Sequence, residues 1–202
     1  MTEVKICGLM RHDDIQYVNE CHPDMAGFIM APGFRRTLNM ETAEQLVQEL
    51  ETDITPVGVF LDQGINDVLG IVKTCGFKAI QLHGSESPEY ISELKDDSGL
   101  TVIKSFKMSD EQDIGSIENS PADLVLLDGG CGEGKGFDWT LIGNIRRRYI
   151  LAGGLDPDNV GNAIRTLQPF AVDTSSGVET DGIKDKNKIK RFVQAARAVA
   201  IE

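Results

Sequence analysis

The chain has 202 residues, 41% hydrophobic and 26% charged, which suits one soluble core and just reaches the smallest complete (β/α)8 barrel. Its 32 acidic and 20 basic residues leave a net charge of −12; this argues against nucleic acid, and an anionic ligand would have to be drawn in by local cations and backbone N–H groups. No apolar run is long enough to span a bilayer, no charged-then-apolar leader precedes Val4, and Cys7, Cys21, Cys75 and Cys131 are too scattered for a zinc or redox site, so a cytoplasmic protein without membrane contact is expected.

Eight short β-branched or apolar runs recur, each followed by a loop and a segment of helical apolar spacing. The first, Val4–Cys7, ends in a thiol and can turn at once on Gly8. Strand alternation puts Val4 and Ile6 on one face and Lys5 and Cys7 on the other. The spacing then predicts a helix over Asp13–Glu20, a strand over Met25–Ala31 and, past Arg35-Arg36, a helix over Met40–Leu50 capped by Asn39. Thr55–Phe60 leads to a helix over Ile65–Thr74 with Gly76 at its end. Lys78–His83 leads to Pro88–Lys95, where Ser87 supplies a cap ahead of a proline.

Thr101–Phe106 precedes Asp110–Glu118, with Ser109 and Gln112 fitting a capping box. Ala122–Asp128 precedes Trp139–Arg146, capped by Asp138, and Trp139 reads as a packing residue. Tyr149–Gly153 precedes Pro157–Thr166, for which Asp156 reads as the cap, and Phe170–Ser175 precedes Lys186–Ala198. Such alternation implies parallel strands joined by helical crossovers, and eight units favour closure. The expected fold is α/β, a single-domain (β/α)8 TIM barrel over residues 1–202.

In such a barrel the strand ends and the loops after them carry the chemistry. Those positions hold Cys7, Arg35-Arg36, Asp62, Gln81–His83, Asp128, Gly153-Gly154 and Asp173–Gly177. The glycine turns after the seventh and eighth strands are where such barrels bind phosphate. Gly129–Lys135 imitates a nucleotide P-loop, but Gly136 stands where a Ser or Thr must hold magnesium, so it reads as a glycine-rich loop over the site. His12, His22 and His83 assemble no metal site.

Several of these segments carry a family resemblance. Lys5-Ile6-Cys7-Gly8, Gly27-Phe28, Gln81-Leu82-His83-Gly84, Leu126-Leu127-Asp128, Gly136-Phe137-Asp138-Trp139, Ala152-Gly153-Gly154-Leu155 and Asp173-Thr174-Ser175-Ser176-Gly177-Val178-Glu179 fall in the order of phosphoribosylanthranilate isomerase of tryptophan biosynthesis, which the chain resembles from its first strand to its last. The resemblance implies a small barrel that performs an Amadori rearrangement of a phosphoribosyl substrate, with no cofactor and no metal, as a monomer or homodimer. It implies Cys7 as general base and Asp128 as general acid. Arg36, rather than its neighbour Arg35, aligns with the arginine for the substrate's carboxylate. Gln81, His83, Gly153, Gly154, Asp173, Ser175, Ser176 and Gly177 fall at substrate-binding positions.

Two proton transfers are needed, to the furanose oxygen and from C2′. An aspartate acts as an acid at neutral pH only when burial or nearby negative charge favours its protonated form. A thiol has the converse difficulty, which Lys5 on the same strand face, or nearby N–H groups, would ease by lowering the pKa of Cys7. Lys5 equally fits a purely structural ion pair with an acidic neighbour such as Asp173. Two other functions are compatible with such a barrel: another phosphosugar isomerase or epimerase, which would survive Cys7→Ala, and a phosphate-ligand sensor without turnover.

Overall fold

In the computed structural model, residues 1–108, 113–129, 142 and 145–199 are described. Eight parallel strands close on themselves in chain order: β1 Glu3–Cys7, β2 Met25–Ile29, β3 Thr55–Phe60, β4 Ala79–Leu82, β5 Thr101–Lys107, β6 Leu124–Asp128, β7 Tyr149–Ala152 and β8 Ala171–Thr174. Closure falls between β8 and β1, with Lys5 opposite Asp173. The helices are α1 His12–Cys21, α2 Met40–Gln48, α3 Ile65–Cys75, α4 Pro88–Ser98, α5 Asp113–Glu118, α6 Val160–Leu167 and α7 Lys186–Arg197. A short antiparallel hairpin, β9 Glu179–Thr180 and β10 Ile183–Lys184, interrupts the passage from β8 to α7.

The alternation read in β1 holds around the barrel. Val4, Ile6, Phe28, Ile80, Leu127 and Val172 point outward into the layer shared with the helices. Met25, Val57, Ala79, Ile103, Leu126, Ile150 and Ala171 form a separate cluster that fills the barrel. Further along the strands the inward positions turn polar, with Lys5, Gln81, Ser105 and Asp173 all buried. The fold therefore stands on an apolar plug and presents polar groups above it.

Several helix signals act as read. Asn39 Oδ1 accepts from Thr42 N at 2.8 Å, Ser87 Oγ accepts from Tyr90 N at 3.2 Å with Pro88 behind it, and Gly76 ends α3 at φ 75°. Asp156 departs from the expectation. Its Oδ1 accepts from Asp158 N at 2.8 Å and Asn159 N at 2.9 Å, which spends the carboxylate on a turn, and α6 begins later, at Val160. Ser109, Asp110, Gln112, Cys131, the glycine loop from 130 to 136, Asp138 and Trp139 lie outside the described residues. Among the described residues, no helix is long and apolar enough to cross a membrane.

Candidate active site

A cavity of ≈ 720 Å³ opens at the carboxyl ends of the strands. Its wall includes every residue singled out from the sequence for catalysis or substrate binding: Cys7, Arg36, Gln81, His83, Asp128, Gly153, Gly154, Asp173, Ser175, Ser176 and Gly177. Arg35, Leu82 and Asp62 are the exceptions among the strand-end positions, and Asp62 is engaged elsewhere. Its carboxylate accepts from Ser85 N at 2.6 Å, fastening the loop after β3 to the loop after β4.

Cys7 ends β1 opposite Gly27 of β2, and this glycine makes the site's geometry possible. A methyl group on Gly27 would lie 2.7 Å from Cys7 Sγ and 3.1 Å from Lys5 Nζ, so the thiol and the ammonium share the space that a side chain would fill. Gly27→Ala is expected to cost about 1–3 kcal/mol through overpacking, read by urea unfolding, and to lower turnover by displacing the thiol.

Lys5 is fully buried and donates to Asp173 Oδ1 at 2.9 Å. Burial disfavours its charge, but Asp173 and the neighbouring thiol outweigh it and hold its pKa above the ordinary lysine value. For Cys7, burial pushes the thiol up, Lys5 pulls it down, Asp173 pushes it up and Lys184 pulls it down. Burial prevails, and the thiol titrates above its usual range. The lowered value expected from Lys5 is therefore corrected: Lys5 offsets a desolvation penalty larger than its own effect.

Asp128 ends β6, with its Oδ2 3.9 Å from His83 Nε2. Gln81 Nε2 donates to Ser105 Oγ at 3.4 Å and lies 3.3 Å from His83 Nδ1, leaving Gln81 Oε1 buried without a partner among the described residues. Lys107 lies opposite Asp128 across β5 and β6 and lines the cavity, a residue the sequence reading missed. Its signal was present: Ile103, Ser105 and Lys107 alternate inward along one strand.

The cationic side is assembled from the loop after β2 and the hairpin after β8, the two strands that flank β1. Arg36 Nε donates to Glu179 Oε1 at 2.7 Å and Arg36 Nη2 to Glu179 Oε2 at 2.8 Å. Arg35 also reaches Glu179 Oε2, at 2.8 Å, but is half-exposed and outside the cavity wall, whereas Arg36 lies on it. Burial pushes the Glu179 carboxyl up, but hydrogen bonds from Arg36, Lys184 and Arg35 outweigh it and hold the carboxyl at about 2, against an ordinary 4.5. A folded-state value below the unfolded one stabilises above pH 4.5 and is lost as pH falls towards 2. Glu179→Gln is accordingly expected to flatten the acid side of the stability profile, measured by urea unfolding from pH 5 downward.

After β7 come Gly153 and Gly154, with φ 91° and 65°, and after β8 the turn from Ser176 to Val178. Thr174 Oγ1 donates to Leu155 O at 2.6 Å and ties these two turns together. Among the described residues no group of three His, Cys, Asp or Glu side chains is placed to hold a metal ion. One cavity thus presents a thiol, a carboxyl, an arginine and the glycine turns after β7 and β8.

The profile of the N-(5'-phosphoribosyl)anthranilate (PRA) isomerase family matches residues 4–195. The chain belongs to the phosphoribosylanthranilate isomerase family. It is similar to the N-(5'-phosphoribosyl)anthranilate isomerases of Acetivibrio thermocellus, at 41% identity over 98% of this chain and 96% of that one, and of Lacticaseibacillus casei, at 43% over the same shares. A crystal structure of phosphoribosyl anthranilate isomerase from Thermotoga maritima superposes with a TM-score of 0.91 at 36% identity, covering 98% of this chain and 100% of that one. Another, in complex with reduced 1-(o-carboxyphenylamino)-1-deoxyribulose 5-phosphate, gives 0.88 at 34% identity with the same coverage. The family match begins at β1 and runs past the β9–β10 hairpin, so Cys7, Asp128 and Glu179 all lie within it.

Proposed function

We propose that the chain converts N-(5-phosphoribosyl)anthranilate to 1-(2-carboxyphenylamino)-1-deoxyribulose 5-phosphate, the third step of tryptophan synthesis from chorismate, in the cytoplasm. The observation that carries this reading is the placement of a thiol and a carboxyl at the inward ends of β1 and β6 of one cavity, with an arginine on its wall and paired glycine turns after β7 and β8. That layout matches a substrate with a carboxylate at one end and a phosphate at the other. Holding both ends fixes the reacting carbons between base and acid.

In this mechanism Asp128 gives a proton to the furanose ring oxygen, and the C1′–O bond breaks to leave a Schiff base. The fraction of Cys7 present as thiolate, which Lys5 and Lys184 favour against burial, takes the C2′ proton; the electron pair moves towards the iminium nitrogen and forms an enolamine. Tautomerisation to the ketone completes the isomerisation; the substrate has taken one proton from Asp128 and given one to Cys7, and exchange with solvent resets both groups. None of these steps calls for a cofactor.

The ligand is a small phosphoribosyl compound, and the working unit is a monomer or a homodimer; one structural relative, from Thermotoga maritima, is described as dimeric. The purified chain is to be incubated with N-(5-phosphoribosyl)anthranilate, and substrate and product separated by chromatography. Conversion is expected; a folded chain that leaves the substrate untouched refutes the reading.

A further inference from the structure

Glu179 is not part of the cavity wall, and only 6% of its side chain is exposed, yet it gathers charges from three segments. Its carboxylate accepts from both Arg35 and Arg36 of the loop after β2, and from Lys184 Nζ of β10 at 2.9 Å. Lys184 is itself buried and donates onward to Ser175 O at 2.8 Å, at the start of the turn after β8. Lys188 Nζ holds the Glu179 carbonyl at 2.6 Å.

The direction of the Arg36 contact matters. Glu179 takes the side edge of the guanidinium, formed by Nε and Nη2, in a bidentate pair. The end edge, which carries Nη1, has no partner among the described residues. The stem of Arg36 passes over Gly8, where a methyl group would lie 2.5 Å from its Cδ, and this brings the arginine beside the residue that follows Cys7. Arg35, Arg36 and Lys184 against one carboxylate also leave an excess of positive charge here, in a chain of net charge −12.

We propose that Glu179 is a positioning residue for both ends of the ligand: it aims the free edge of Arg36 at the carboxylate and, through Lys184, sets the Ser175–Gly177 turn for the phosphate. This rests on the isomerase reading for the ligand's two charged ends, and it adds a residue that touches neither of them. An ordinary loop clasp would change stability alone.

The test uses the whole chain and two fragments, anthranilate and inorganic phosphate, each titrated by NMR into wild type, Glu179→Gln, Glu179→Asp and Lys184→Met. Glu179→Gln is expected to weaken anthranilate binding roughly 10-fold or more, in line with loss of charged hydrogen bonds. It should also weaken phosphate to a smaller degree and raise KM far more than it lowers kcat. Glu179→Asp, which keeps the charge, should recover part of the anthranilate affinity. Lys184→Met should weaken phosphate while leaving anthranilate within about twofold, and it decides the matter if Glu179→Gln does not fold. A lowered Tm with both fragment affinities and KM unchanged overturns the proposal, as does an equal response of both fragments to Lys184→Met. Because the fragments are read without turnover, a wild-type chain that binds them and fails to isomerise the substrate counts against the reaction alone.

Discussion

Cys7→Ser and Asp128→Asn are each expected to lower kcat by about 10²- to 10⁴-fold, the range contributed by a positioned acid or base, with KM changing little. Serine keeps the size of the thiol at the end of β1 but is a far weaker acid, so almost none is ionised at neutral pH. Asparagine keeps the shape of Asp128 but cannot give up a carboxyl proton. The double variant should be less than additively impaired, because residues acting as a unit lose most of their joint effect with the first removal. Steady-state kinetics with matched circular dichroism spectra checks this, and full activity in either single variant overturns the assignment of roles.

Lys5→Met is expected to have the largest effect on stability. It leaves the Asp173 carboxylate without the ammonium at 2.9 Å, and removing one partner of a buried ion pair costs about 3–5 kcal/mol. The pair's contribution is present below the unfolded lysine's 10.5 and is lost as pH rises through the higher folded value, so the deficit should vanish only in strong alkali. A second consequence separates tuning from scaffolding. Lys5 pulls the Cys7 thiol down, so its loss should move the thiol's limb of the kcat/KM profile to higher pH. Limbs that stay in place while stability falls would leave Lys5 a structural role only.

The barrel was legible because its signals are local. Strand alternation at Val4–Cys7, the cap at Asn39 and the proline start at Ser87-Pro88 each depend on residues a few positions apart. Cys7, Asp128 and the glycine turns could be found because parallel strands put their ends on one rim. What stayed hidden depends on distance or depth. Glu179 stood in plain view within a motif, but its partners Arg35 and Arg36 lie 144 and 143 positions away. Both arginines reach it, and that Arg36 alone of the two lines the cavity is not written in their own neighbourhood. The sign of the Cys7 shift turns on how deeply the barrel buries the thiol, which two neighbouring residues do not reveal. At Asp156 two local signals competed, and a tight turn took the carboxylate before the helix could use it.

Removal of the C2′ proton by Cys7 is the step on which the reaction turns, and single-turnover kinetics with substrate deuterated at C2′ isolates it. A primary isotope effect is expected in wild type, and Cys7→Ala is expected to slow the same step by about 10²- to 10⁴-fold with the isotope effect retained. An unchanged single-turnover rate in Cys7→Ala, or no isotope effect in wild type at the chemical step, would show that Cys7 is not the base.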